Sequence, residues 1–133
     1  MYSLKIPVRY YEADPMGVVH HSEYIRYFEL ARDTWMSEAG YSIADVAADN
    51  VVFPVTHIDL DYKYSARFGD TVTVTLELES FTGARVTFHQ TVLNADGHVC
   101  ADGHVVLGFL NSETGRIMRC PEKIAALIES ISK

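Results

Sequence analysis

"YYEADPMGVVHHSEYIRYFELARDTWMSEAG", residues 10–40, carries a long helical pattern and, just ahead of it, a charged side chain in need of an explanation. From Ser22 onward Tyr24, Tyr27, Phe28, Ala31, Trp35 and Ala39 recur at intervals of three and four, the spacing of one helix face. Ile25, Leu30 and Met36 widen that face, which predicts a helix buried on more than one side. Ser22 is placed to cap the N-terminus, Glu23 suits the positive end of the dipole, and Gly40 stands where a C-terminal cap is expected. Ahead of the helix, Asp14 is followed by Gly17 and then by His20 and His21.

On either side the pattern is that of strands. Residues 3–10 predict a first short strand. In "THIDLDYKY" Ile58, Leu60, Tyr62 and Tyr64 share one face and His57, Asp59, Asp61 and Lys63 the other, while Thr71 to Glu79 alternate without a fault. Gly83 marks a turn into "RVTFHQTVL", "NADGH" marks another, and "HVVLGFL" reads as a more fully buried strand closed by "NSETG". "PEKIAALIESISK" opens with a first-turn Pro and lines up Ile124, Leu127, Ile128 and Ile131 as a packed terminal helix would. Strands joined by short turns imply an antiparallel sheet, and the long helix that follows Ser22 is the one element long enough to cover its apolar face. The expected architecture is α+β: a five-stranded antiparallel sheet curled around a long central helix, with a short C-terminal helix.

With 133 residues and no repeat, low-complexity tract or linker, the chain reads as one domain over residues 1–133. A net charge of -7 gives nucleic acid or an anionic membrane no general attraction. No segment approaches the roughly 20 apolar residues of a membrane span and the N-terminus has no signal-peptide run, so a cytoplasmic protein is expected. Cys100 and Cys120 lack CxxC spacing and read as buried or spectator thiols, although Cys120 abuts a helix start that could lower its pKa. The six histidines show no helical HxxxH spacing, so no metal site is expected.

Asp14 admits two readings. It is either a solvated loop or distal capping residue, or a reactive carboxylate. In the second reading Gly17 permits close backbone approach, and the first helical N–H groups near His21 and Ser22 form an oxyanion site for a carbonyl that Asp14, or a water beside it, can attack. The helix dipole would keep Asp14 ionised. A carboxylate is a weak base, but a thiolate leaving group departs readily, which favours a thioester over an ester or amide. No serine sits in a GxSxG elbow.

"VRYYEADPMGVVHHSEYIRYFELAR" resembles the N-terminal signature of the hotdog-fold acyl-CoA thioesterases, specifically the 4-hydroxybenzoyl-CoA thioesterase family and its Tol-Pal-associated relatives. The likeness continues through "DYKYSARFGDTVTV" and, in element order, over almost the whole chain. It implies that Asp14 is the catalytic aspartate, that His21 is a second catalytic residue at the helix start, where backbone N–H binds the oxyanion and the imidazole would position water or protonate the leaving sulfur, that Gly17, Val18, Val19 and Tyr24 border the substrate, and that the protein is a homodimer or tetramer with sites at subunit interfaces. Pro15, Met16 and His20 depart from the family pattern, which bears on the acyl group rather than the chemistry. Coenzyme A would enter as part of the substrate, with no separate cofactor. Lys63, Arg67 and Arg85 flank strand ends and could meet its phosphates, ordinary surface charge being the competing reading. Glu29 in the apolar helix is expected to pair with Arg32 or Arg26, and Tyr62, Tyr64 and Trp35 to be core. The other functions to weigh are a non-catalytic acyl-CoA-binding module and an enoyl thioester hydratase, the latter needing an Asp/His pair on another segment.

Overall fold

The period-two segments form one sheet in the computed structural model, which describes residues 1–131. In chain order the elements are β1 (Tyr2–Pro7), a 3-10 turn (Tyr10–Glu12), α1 (Glu23–Glu38), α2 (Ile43–Ala48), β2 (Val51–Val52), β3 (Val55–Tyr62), β4 (Thr71–Phe81), β5 (Val86–Leu93), β6 (Val99–Leu107), β7 (Leu110–Asn111) and α3 (Glu122–Ser130). Five strands pair antiparallel in the order β1-β4-β5-β6-β3, and β2 pairs with β7 separately. The first strand is shorter than expected because the chain leaves the sheet after Pro7 and coils at Tyr10–Glu12. Ser132 and Lys133, at the end of the predicted terminal helix, lie outside the described residues.

Alternation decides the core. Val72, Val74 and Leu76 of β4, Val86, Phe88 and Val92 of β5, and Val105 and Leu107 of β6 face inward and are buried with Tyr24, Tyr27, Phe28, Ala31 and Trp35 of α1. Gln90, also on the inner face and fully buried, holds helix to sheet: its Nε2 donates to the carbonyls of Phe28 (3.1 Å) and Thr75 (3.3 Å), and its Oε1 accepts from Arg32 Nη1 (3.0 Å). α1 ends as expected. Gly40 has φ +95°, its N–H donates to Ser37 C=O, and Tyr41 N–H donates to Met36 C=O, the paired bonds of a Schellman cap.

Several expectations need correction. Ser22 does not cap α1: it is helical (φ -68°, ψ -23°), and its Oγ lies 2.8 Å from His20 Nδ1 instead. α1 is not buried on a second side, because Ile25 and Leu30 are exposed in the protomer. Glu29 is exposed and forms no ion pair among the described residues, since Arg32 turns to Gln90. Tyr62 and Tyr64 are exposed, Tyr64 because β3 ends before it and Tyr62 because β3 is an edge, whereas Trp35 is core. Burial pushes both thiols up, to about 11, so the helix start beside Cys120 does not activate it. The six-residue α2 and the β2–β7 pair were not legible in the pattern.

Candidate functional site

Residues 8–22 form a looped extension clamped between the start of α1 and the segment after β3. Ala13 and Val19 bridge antiparallel, Asp14 N–H donates to Val18 C=O (2.8 Å), and His20 N–H donates to Glu12 C=O (2.9 Å). Outside this hairpin, Val19 N–H donates to Ala66 C=O (2.8 Å) and Phe68 N–H to Gly17 C=O (3.1 Å). Val18 bridges Arg67. Gly17 has φ +80° and lets the chain reverse at the tip.

The base of the loop rests on a buried carboxylate that sequence reasoning passed over. Glu12 Oε1 accepts from Arg9 N–H (2.7 Å) and from the Tyr27 hydroxyl (3.1 Å), and its Oε2 lies 3.6 Å from Arg9 Nη1. Burial, and next the Glu12 charge, raise the Tyr27 phenol well above its ordinary range, so it stays a donor. The available signal was local: an acid three residues after Arg9, with Tyr10, Tyr11 and Ala13 as its neighbours. Tyr24 is a second peg, buried, with its oxygen accepting Ala66 N–H (3.1 Å) and its phenol raised above 10.0 chiefly by burial.

Asp14 is half-buried at the loop's turn. Its Oδ1 accepts from the N–H groups of Met16 (2.8 Å) and Val18 (3.3 Å), while Oδ2 accepts no hydrogen bond among the described residues. One oxygen is thus immobilised by the backbone and the other is available. Downstream, Glu23 N–H donates to His20 C=O (3.0 Å), Ser22 N–H to His20 Nδ1 (3.3 Å), and Tyr62 hydroxyl to His21 C=O (3.0 Å), but the His21 N–H has no acceptor among the described residues. The exposed His21 ring lies over His20 (centroids 4.1 Å) with its edge toward Tyr62 (6.3 Å), and it makes no hydrogen bond to Asp14. A free carboxylate oxygen and a free main-chain donor at the N-terminal end of a 16-residue helix suit attack on a carbonyl whose oxygen turns negative.

The structure gathers Asp14, Gly17, Val18, His21 and Arg67 in this region, with Lys63 exposed just beyond β3. Val19 is core, so it supports the loop from beneath. Arg85 is not brought here. It sits at the β4–β5 turn, away from the Asp14 loop by the length of β4, about 30 Å at its strand rise.

Two further features have no counterpart in the sequence pattern. On the outer face of the sheet Glu77, His89, His104 and Asp59 stand side by side across β4, β5, β6 and β3. His89 Nε2 lies 2.6 Å from Asp102 Oδ1, His104 Nδ1 2.9 Å from Asp59 Oδ1 and Nε2 3.1 Å from Glu79 Oε1, and the two imidazoles stack at 5.1 Å. The hydrogen bond to Asp59 raises the His104 pKa above 6.5, and the same contact lowers that of Asp59. No group of three or more His, Cys, Asp or Glu among the described residues could hold a metal ion. The other feature is a cavity of about 560 Å³ at the end of the sheet opposite Asp14.

The chain is similar to known proteins over most of its length. Residues 8–128 match the family model described as the thioesterase-like superfamily. The chain is 29% identical over 107 residues to a putative acyl-CoA thioesterase, YneP, of Bacillus subtilis, covering 74% of this chain and 78% of that one. It is 29% identical over 122 residues to the acyl-CoA thioester hydrolase YbgC of Escherichia coli O6:H1, covering 90% and 91%. The solved DHNA-CoA thioesterase of Staphylococcus aureus superposes with a TM-score of 0.88 at 26% identity, covering 97% of this chain and 89% of that one. No described helix is long and apolar enough to cross a membrane.

Proposed function

The chain belongs to the thioesterase-like superfamily, and on that premise we propose that it hydrolyses acyl-CoA thioesters to free acid and CoA, with Asp14 as the reactive carboxylate. It has the hotdog fold of its structural neighbours and is a thioester hydrolase. The observation that carries the residue assignment is the division of labour within Asp14: Oδ1 is bound to two turn amides, and Oδ2 accepts no hydrogen bond among the described residues. Oδ2 either attacks the thioester carbonyl, expelling CoA and forming a mixed anhydride that water then hydrolyses to the free acid and the restored carboxylate, or removes a proton from a water that attacks the carbonyl directly. The carbonyl oxygen accepts from the His21 N–H, and CoA leaves as thiolate, which needs little help from an acid. Lys63 and Arg67, at the same end of β3, meet the phosphates of CoA.

A homodimer completes the site. β3 is an eight-residue edge strand whose exposed side chains include Val55 and Tyr62, whereas the opposite edge strand β1 presents none of the exposed large apolar residues. Pairing two β3 strands antiparallel about a twofold axis covers both edges. It also lays the Tyr62 end of one protomer, with its Asp14 loop, beside the Val55 end of the other, and brings the partner copy of the β4–β5 turn with Arg85 towards the first protomer's loop.

The test is steady-state hydrolysis of a panel of acyl-CoAs by wild type and Asp14→Asn. The asparagine keeps the Oδ1 acceptor and so the turn, but lacks the carboxylate. A fall in kcat/KM of about 10²–10⁴-fold is expected. A fall below about tenfold, only about 1.4 kcal/mol of barrier, would dismiss Asp14.

A further inference from the structure

The 3-10 turn Tyr10–Glu12 carries the base of the Asp14 loop, and apolar packing does not hold it. Of its three residues only Glu12 is buried, at 5% exposure, while Tyr10 and Tyr11 are 79% and 74% exposed. The side chain that this turn sends into the core is therefore a carboxylate.

Burying a carboxylate costs free energy that an apolar residue of similar size would not. What the carboxylate adds is direction. Its Oε1 accepts from the Arg9 N–H at 2.7 Å and from the Tyr27 hydroxyl at 3.1 Å. The first bond closes the turn on itself, as does the bond from Glu12 N–H to Arg9 C=O (3.0 Å). The second crosses to α1. Tyr27 is 2% exposed and meets the Tyr24 ring edge-on at 6.1 Å, so close packing fixes the hydroxyl that Glu12 must reach.

Both groups that the proposed reaction uses lie close to this anchor. Asp14 follows Glu12 by two positions. On the returning side of the loop His20 N–H donates to Glu12 C=O (2.9 Å), and His21 is the next residue. The peptide that carries the His21 N–H is also tied to the first turn of α1, because Glu23 N–H donates to His20 C=O (3.0 Å). A slip of the Tyr10–Glu12 turn across α1 would carry Asp14 with it and leave the His21 N–H behind.

We propose that Glu12 is a positioning residue for the hydrolysis: its hydrogen bond from Tyr27 locks the loop onto α1 and so sets the separation between Asp14 Oδ2 and the His21 N–H. This inference rests on the Asp14 reading above.

The experiment measures kcat and KM, well below each variant's Tm, for the acyl-CoA that wild type hydrolyses fastest. The variants are Glu12→Leu, Glu12→Gln and Tyr27→Phe, the last also combined with Asp14→Asn. Misplacing a reacting group by about 1 Å costs about 10²-fold. Glu12→Leu removes both side-chain bonds and should lower kcat by about that factor, and Tyr27→Phe, which removes one, by about tenfold. KM should stay within about threefold of wild type, because the loss is in the transition state. Glu12→Gln keeps an acceptor for both donors and should hold kcat within about threefold of wild type. With Asp14→Asn already present the separation no longer has a carboxylate at one end, so adding Tyr27→Phe should cost less than about twofold.

A purely structural Glu12 would shift Tm yet leave the kcat of the folded protein unchanged, or lower it by the same factor with and without Asp14. Either result overturns the proposal while Asp14 keeps its role, and so does a Glu12→Gln as slow as Glu12→Leu. Tyr27→Phe lacks a single oxygen and carries the comparison should Glu12→Leu fail to fold. An Asp14→Asn loss below about tenfold removes the Asp14 reading and the proposal together.

Discussion

The two ends of β3 are built by different forces. At the Tyr62 end, the Asp14 loop is held by main-chain hydrogen bonds and by two buried polar pegs, Glu12 and Tyr24, with Val19 beneath. At the Val55 end the strands and α3 contribute only apolar side chains, and these border an open void. Hydrogen bonds are directional and fix atoms to a few tenths of an ångström, as a reacting carboxylate requires. Hydrophobic contact is non-directional and tolerates a space that a ligand can fill. One end therefore holds its atoms in fixed positions, and the other leaves space unfilled.

The sharpest way to break this comparison is to cut equivalent side chains from the two regions. Phe28 lies in the well-packed part of α1 and Phe88 on the cavity wall, both nearly fully buried. Truncation of a buried Phe costs about 3–5 kcal/mol, so Phe28→Ala should fall near the top of that range and Phe88→Ala near the bottom, because Phe88 already has empty space on one side. Urea denaturation of the two variants measures the difference, and equal losses would mean that the cavity is closed in solution.

A smaller effect probes the joint between the regions. Gln90→Leu leaves the Phe28 and Thr75 carbonyls without their side-chain donor and removes the acceptor of the Arg32 guanidinium, whose pKa desolvation already lowers. The expected loss is about 2–3 kcal/mol, readable as a drop in Tm. A loss confined to a few tenths would show that α1 is held by packing alone.

The smallest effect lies on the outer face. Folding raises the His104 pKa, so its contribution is fully present below 6.5, the ordinary value, and is lost as pH rises through the folded value. Asp59 is lowered, so its contribution is present above the ordinary carboxylate range and is lost as pH falls through its folded value. Both groups are solvent-accessible, which limits the gain to below about 1 kcal/mol. Stability measured from pH 5.5 to 8.5 should decline slightly for wild type, and the decline should shrink for His104→Gln. An unchanged slope would remove His104 from the outer-face network.

Much of the site was legible because it is local. Asp14, Gly17 and His21 fall within eight residues, and a loop ahead of an amphipathic helix constrains them whatever the rest of the chain does. The strands were legible where one face is buried: from Thr71 to Glu79 β4 alternates in sequence and, apart from the buried Thr75, in burial. The failures share a cause. Ser22 has the residue type of a cap, but the chain's entry angle makes it helical and turns its hydroxyl to His20. Tyr62 and Tyr64 fit an apolar face, yet the sheet order leaves β3 at an edge. Glu29 looked in need of a partner only while α1 was taken to be buried on two sides. Arg85 was grouped with Lys63 and Arg67 by its place at a strand end, but β4 carries it to the opposite pole of the protomer.

By itself the sequence determined the period of each element, the polarity of each face and the order of chemical groups along the loop, because these follow from spacing along one chain. Strand order, the row of His89 and His104 among carboxylates and the cavity bounded by α1, α2, α3 and the sheet were decided by tertiary structure alone. Each depends on which distant segments become neighbours and on how completely their side chains fill the space between them, and no spacing along the chain specifies either.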